Sequence, residues 1–369
     1  MSASQSDPQG ARAWLILNHS GLSVARQLAL IEVFGDAPAV VSADDQALSA
    51  VPGIDRIHVQ KLRRAADQLD CDAVLGNLAE LGVSLLPITS AEYPRLLREI
   101  PEPPPLLYVQ GQLLPRDELS VAVVGTRKCT PYGRSVSRRL GYDLAARGLT
   151  VVSGMALGID GEAHRGALEA GGRTIAVLGC GIDLTYPRQH EDLRKEIVAS
   201  GAVISELPPG TTPSRDQFPK RNRIISGLSL GVVVVEAPAG SGALITARLA
   251  AEQGREVMAI PGDITRAESR GCNELIRDGA TLVQQVDDVI EALNVSPEPV
   301  APTLETGSAP SLPPDEARVY DSLSTEPRTV DELVQATGLD SPRVMAALML
   351  LEIKGLVRRF GGGTYARAR

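Results

Sequence analysis

Between residue 11 and about residue 83 the apolar positions recur at helical spacing. The stretch Gly21 to Gly35 carries one such stripe and ends at a glycine, a common helix stop. A second pair of helices is predicted around Leu48-Ser-Ala-Val-Pro-Gly-Ile54, followed by His58 to Leu69. This resembles a SAM or helix-hairpin-helix module, in which turn glycines let backbone amides approach a phosphate. Asp55 stands where that motif places its second glycine, and its charge would repel phosphate, which favours a packing or protein-docking role.

From about residue 84 to 293 the rhythm changes. Short apolar runs at Val121–Val124, Thr150–Val152, Thr174–Leu178, Ala202–Ile204, Gly231–Val235 and Glu256–Ile260 alternate with helix-length segments. Strands that are apolar on both faces and separated by helices predict a parallel sheet covered on both sides, a doubly wound α/β fold. Thr130-Pro131 supplies a cap and first-turn proline for the helix after the first strong strand. Residues 294–314 hold six prolines and few large apolar residues, the composition of a linker. From 315 to 369, Thr329-Val-Asp-Glu332 reads as a capping box and Ser341-Pro342 as a cap with its proline. A hairpin is predicted from Leu356 to Tyr365. The expected organisation is a helical domain (1–83), an α/β domain (84–293), a linker (294–314) and a small winged helix (315–369).

Composition narrows the function classes. Charged residues at 22% and hydrophobic residues at 43% are those of an ordinary water-soluble globular protein. The run Ala13 to Leu17 is too short to span a membrane, and Met1 to Gln9 lacks the features of a signal peptide, so a cytoplasmic location is expected. Cys71, Cys129, Cys180 and Cys272 form no Cys-x-x-Cys pair, and the four histidines show no ligand spacing; reduced thiols and no metal are expected. The net charge of −8 argues weakly against nucleic acid, which makes the local distribution of cations decisive.

The first strong strand ends in Gly125-Thr126-Arg127. A glycine at a parallel strand's carboxyl end, before a helix, is where doubly wound folds bind phosphate, and an arginine there can donate two parallel hydrogen bonds. A full Gly-x-Gly-x-x-Gly is missing, so neither a nicotinamide nor any other cofactor is expected. Turns at Ser153 to Asp160 and Leu178 to Asp183 sit at equivalent strand ends, where tight-turn geometry alone explains their glycines as well as a ligand does. His164 has no nucleophile assigned to it and reads as a packing histidine. The densest signal is Ser214 to Ile225: Arg215, Lys220, Arg221 and Arg223 lie within nine residues around Phe218, one of three phenylalanines in the chain. Cations beside a ring suit an unpaired strand, with charges on phosphates and the ring on a base. The bland alternative is a solvated basic face over a core Phe218, with Arg221 and Arg223 packed within the fold. A further glycine-rich turn, Glu236 to Thr246, contains Ser241-Gly242 at a helix start.

These residues resemble the DNA-processing protein A (DprA/Smf) family. The resemblance rests on Pro104 to Gly111, Val124 to Arg127, Ser153 to Asp160 with Ala163-His164, and Tyr186-Pro187. It continues through Ser205-Glu206, Phe218 to Ile224, Glu236-Ala with Ser241-Gly242, and Pro261-Gly262 with Gly271-Cys-Asn. It implies an extended Rossmann-like domain that binds single-stranded DNA without catalysis, dimerises and loads RecA in natural transformation and recombination. It implies DNA contacts at Gly125, Thr126, Arg127, Arg215, Phe218, Lys220, Arg221, Asn222, Ser241 and Gly242.

Two rivals remain. Lysine-decarboxylase-like nucleotide-processing enzymes share the fold and carry Pro-Gly-Gly-x-Gly-Thr-x-x-Glu, but here the threonine position is Ala243 and the glutamate position is Thr246. A double-stranded-DNA regulator would read bases with the helix Ser341 to Lys354, which is mostly apolar after Arg343.

Overall fold

The computed structural model describes residues 8–297, 312–324, 328–354, 356–360 and 363–367. Most of the proline-rich stretch at 294–314 lies outside them, as do Gly361 and Gly362 of the C-terminal hairpin. Contacts divide the chain into two units, residues 1–302 and 303–369.

The first unit opens with six helices: α1 (Pro8–His19), α2 (Val24–Phe34), α3 (Ala37–Ser42), α4 (Asp45–Ser49), α5 (Arg56–Gln68) and α6 (Cys71–Glu80). α2 stops at Gly35, whose amide donates to the Ile31 carbonyl at 2.7 Å. Asp55 is the cap of α5: its carboxylate accepts from the His58 amide at 3.0 Å. The residue that breaks the phosphate-binding motif therefore starts a helix.

There follow β1 (Val83–Pro87), α7 (Arg95–Arg98), β2 (Leu106–Gly111), β3 (Ser120–Val124), α8 (Pro131–Ala146), β4 (Thr150–Ser153), α9 (Ile159–Glu169), β5 (Thr174–Val177) and α10 (Glu191–Ser200). After them come β6 (Ala202–Ser205), α11 (Gln217–Leu228), β7 (Gly231–Val234), α12 (Gly242–Glu252), β8 (Glu256–Ala259), α13 (Arg270–Arg277), β9 (Thr281–Leu282) and α14 (Val286–Leu293). The nine strands form one sheet in the order β1-β2-β6-β5-β4-β3-β7-β8-β9. Strands β3 to β9 run parallel, while β2 pairs antiparallel with both β1 and β6. All six strands predicted from the apolar runs are present. β1, β2 and β9 are additions.

Alternation along the central strands sorts side chains into two layers. Ala122, Val124, Val232 and Val234 pack with Ile224, Ile225 and Leu228 of α11 and with Ala243 and Ala247 of α12. Val121, Val123 and Val233 pack with Leu140 and Leu144 of α8, Ala163 of α9 and Val286 of α14. A third cluster joins Leu15, Leu17, Leu30 and Leu62 of the N-terminal helices to Ala176, Leu193, Ile197 and Val203, so these helices close one flank of the sheet. Tyr108 reinforces that seam by donating to Asn18 Oδ1 at 2.8 Å.

The chain builds outward from β3 through β4, β5 and β6, then returns to lay β7 on β3's other side. The β3–β7 seam is thus the point where strand order reverses, and the crevice beyond its carboxyl ends is where such sheets bind ligands. Gly125 to Arg127 leave β3 there, and Glu236 to Pro238 leave β7 beside them.

The second unit contains α15 (Pro314–Ser322), β10 (Arg328–Thr329), α16 (Val330–Thr337), α17 (Ser341–Ile353), β11 (Val357–Phe360) and β12 (Thr364–Arg367). Three helices and the sheet β10-β12-β11 make a winged helix around Val319, Leu333, Leu348 and Leu351. Thr329 and Glu332 form the predicted capping box. The cap of α17 is Asp340 rather than Ser341: its carboxylate accepts from Arg343 N at 3.0 Å, and Ser341 is already helical.

Candidate nucleic-acid interface

The turn after β3 is clamped to its neighbours. The Thr126 amide donates to the Glu236 carbonyl at 2.7 Å, and the Ile159 amide donates to the Thr126 carbonyl at 3.3 Å. A side chain at Gly125 would run into Ile159 and the Glu236 carbonyl, so glycine is required here for packing as much as for backbone access. Gly158, at φ +81°, lets the start of α9 pass directly under the carbonyls of Thr126 and Arg127. This framework leaves the Arg127 side chain exposed at the rim of the crevice.

In this fold the helix after the first strand ordinarily offers its N-terminus to a dinucleotide phosphate. Here the α8 terminus is occupied from within. Glu236 is 3% exposed and accepts from both the amide and the hydroxyl of Thr130, the α8 cap. Thr130 in turn accepts from the Gly133 amide at 3.1 Å. The carboxylate takes the place a phosphate would occupy. The anion-ready terminus is instead that of α12, where Ser241 is the cap and Gly242 the first helical residue.

These elements enclose a cleft of about 910 Å³. Gly125, Thr126, Arg127, Arg215, Phe218, Arg221, Asn222, Ser241 and Gly242 all line it. Lys220 does not. It is exposed, but two positions from both Phe218 and Asn222 on α11, which turns it off their face.

Phe218 is half-buried, not a core ring. The Arg127 guanidinium carbon lies 4.5 Å from its centroid and the Tyr186 ring 5.6 Å away at an interplanar angle of 35°. Tyr186 is 42% exposed and lines the cleft, as does the exposed Lys128. Neither was singled out from sequence as a contact. Lys128 could have been found by extending the Gly-Thr-Arg turn one residue, whereas nothing local links Tyr186 to Phe218.

The four cations of the densest stretch separate by depth. Arg215 and Lys220 are exposed. Arg223 forms a largely buried ion pair with Glu206 at 2.5 Å and serves the fold. Arg221 is 5% exposed, on the wall of the cleft, and donates to the carbonyls of Gly154, at 2.9 Å, and Val177. From the sequence it is expected among the DNA contacts, with packing inside the fold as the alternative; these carbonyls hold it at the inner wall of the cleft. Burial lowers its pKa to about 10, against the opposing pull of Asp160. Asp160 is raised by its own burial, partly offset by Arg221 and by the amides of Ala156 and Gly154. Asn222 Nδ2 reaches the Gly242 carbonyl at 3.3 Å, tying α11 to the start of α12. His164 is buried against Thr174, in line with its packing role. Among the described residues no group of three His, Cys, Asp or Glu is placed to hold a metal, and no helix is long and apolar enough to cross a membrane.

Comparison with known proteins adds to this geometry. Residues 84–294 match the family model of DNA recombination-mediator protein A, and residues 304–363 match the DprA winged helix domain. Protein Smf of Synechocystis is 37% identical over 87% of this chain and 89% of its own length. DprA of Bacillus subtilis is 39% identical over 65% of this chain and 82% of its own. Among solved structures, DprA of Streptococcus pneumoniae superposes with a TM-score of 0.66 at 38% identity, covering 75% of this chain and 95% of that one. DprA of Helicobacter pylori, described for its single-stranded DNA binding mode, gives 0.53 at 31% identity over 58% of this chain and 97% of that one. The chain therefore belongs to the DprA/Smf family of DNA recombination-mediator proteins.

Proposed function

We propose that this protein binds single-stranded DNA in the cleft at the β3–β7 seam, without catalysis, and passes the strand to RecA in natural transformation and recombination. It acts in the cytoplasm, as a homodimer formed through the α/β domain spanning 84–293. The observation that carries the reading is the pairing of Arg127 with Phe218: an exposed guanidinium and a half-buried ring at one edge of one cleft. Arg127, Arg215 and Lys128 supply the phosphate charge, Phe218 and Tyr186 the stacking surface, and the start of α12 further donors. The single-stranded DNA binding described for the Helicobacter pylori protein supports the same ligand.

Turnover is disfavoured by what faces the cleft. At the position of the enzyme group's glutamate, Thr246 lines the wall and brings no carboxylate. Glu236 is committed to Thr130 and Asp160 to backbone amides, while Glu268, the other carboxylate on the cleft wall, stands outside the enzyme group's motif. A sequence-reading role for the winged helix is disfavoured too, because between Arg343 and Glu352 the side chains that α17 exposes are Met345, Ala346, Met349 and Leu350.

The test of the RecA step is filament assembly on a single strand coated with a competing binding protein. Wild-type protein should accelerate assembly and Arg127→Ala should not; equal rates with and without protein would leave only strand binding.

A further inference from the structure

Arg221 carries a positive charge into the inner wall of the cleft, where no carboxylate pairs with it among the described residues and burial outweighs the pull of the nearby Asp160. It is 5% exposed, its Nε has no partner, and among the described residues it forms no ion pair. A buried guanidinium without a carboxylate is costly unless something else supplies the negative charge. Arg127, on the rim of the same cleft, also forms no ion pair among the described residues and meets Phe218 instead. Two guanidinium groups without an ion pair among the described residues thus share one cleft with the N-terminus of an eleven-residue helix, α12, and with two carboxyl groups, Glu268 and Asp160, the latter held by backbone amides.

The charge count bears on the kind of phosphate. A backbone phosphodiester brings one negative charge, whereas a terminal phosphate brings about 1.5 to 2 and three acceptor oxygens. Burial pushes Asp160 toward its neutral form, and against that background two guanidinium groups and a helix N-terminus match the second better than the first. Depth points the same way. A through-running backbone has to enter and leave, while a group that reaches a residue as buried as Arg221 needs only to enter. Resting on the strand-binding reading above, we propose that the inner wall of the cleft, Arg221 with the first turn of α12, is a subsite for a nucleoside phosphomonoester. Its sources are the 5′-phosphorylated end of a strand or a free nucleotide.

The experiment measures binding of two fluorescent strands of about twenty nucleotides, identical except for a 5′-phosphate or a 5′-hydroxyl, and displacement of the second by deoxyadenosine monophosphate or by deoxyadenosine. The phosphorylated strand should bind about tenfold tighter, the worth of one charge-assisted hydrogen bond. The monophosphate should compete where the nucleoside does not. A 5′-phosphate advantage without competition identifies strand ends as the source; competition without the advantage identifies free nucleotide. Equal affinity of both strands together with no competition overturns the subsite and leaves single-strand binding standing. If neither strand binds but the monophosphate, titrated directly by calorimetry, does, the strand reading fails and the subsite remains.

Because removing Arg221 could disturb the fold, the variant of choice is Gly242→Glu. A side chain at Gly242 meets nothing within 4 Å, and an acid in the first turn favours the helix. It should melt no lower than wild type yet lose the tenfold advantage, whereas Gly242→Ala keeps it. Retention of the full phosphate advantage by Gly242→Glu would also overturn the proposal.

Discussion

The guanidinium of Arg127 sits 4.5 Å from the centre of the Phe218 ring, so the phosphate-binding turn of one strand and the ring of a helix ninety-one residues later form a single unit. Arg127 is exposed where it can reach a phosphate, and Phe218 lies half-buried in the lining of the same cleft. The pairing is worth about 0.5–1 kcal/mol at such an exposed site.

The first prediction follows from that coupling. Arg127→Ala should weaken every single-stranded ligand and flatten the salt dependence by about one phosphate contact. Phe218→Ala should cost about 1–3 kcal/mol of binding with a nearly unchanged salt slope. Since each residue positions the other, the double variant should lose less than the sum of the two, measured by titration at several salt concentrations. Strict additivity would mean that the two act separately.

Stability distinguishes the same ring from a core residue. Phe218 is half-buried, and removing it should cost about 1 kcal/mol of unfolding free energy rather than the ~3–5 of a core phenylalanine. Denaturant unfolding of Phe218→Ala is the check, and a loss in the higher range would return the ring to the core.

Arg223 should behave oppositely to its neighbours. Its pairing with Glu206 is largely shielded from solvent, so Arg223→Ala should lower stability by about 3–5 kcal/mol while the folded fraction binds strands normally. A stable variant with weakened binding would place Arg223 in the interface after all.

Much of this was legible in the chain, and the remainder was hidden for identifiable reasons. The six central strands were visible because each is apolar on both faces, as parallel strands must be. β2 was missed because Leu106 to Val109 follow three prolines and read as a motif, and because its antiparallel pairing with β1 and β6 has no counterpart in a repeating strand–helix pattern. β9 is two residues long. In the site, Arg215, Lys220, Arg221 and Arg223 carry the same charge in a sequence but lie at different depths. Helical spacing offered a clue that was not used: Phe218, Arg221, Asn222 and Ile225 fall on one face of α11, which predicts that Arg221 turns inward and Lys220 away. The closure of the α8 terminus by Glu236 joins residues more than a hundred apart and has no local sign.

A pH effect on stability comes from His164. The Thr174 hydroxyl donates to the Val151 carbonyl at 2.7 Å, so it accepts from His164 Nδ1 at 2.6 Å, leaving Nε2 bare and buried without a partner. Burial accordingly lowers its pKa from 6.5 to about 3. The folded state resists protonation that the unfolded chain accepts. The contribution is complete above pH 6.5 and is lost as pH falls toward 3, at about 1.4 kcal/mol per unit. Urea unfolding at pH 7 and pH 5 should show a steeper acid loss for wild type than for His164→Gln; parallel losses would show that other groups set the acid limit.

Catalysis has a direct test. Incubation with nucleoside monophosphates should release no free base above a heat-inactivated control, because Thr246 and Ala243 occupy the positions of the enzyme group's glutamate and threonine. Base release that survives purification to homogeneity would make the cleft an active site.

The most direct test of the central claim is the affinity of the full chain for a fluorescent single strand and for a blunt duplex of equal length, each measured over a salt series. Phe218 and Tyr186 can stack only on bases that are free, so the single strand should bind more tightly at every salt concentration, and its affinity should fall steeply as salt rises. Equal affinity for strand and duplex, or binding indifferent to salt, would contradict the account.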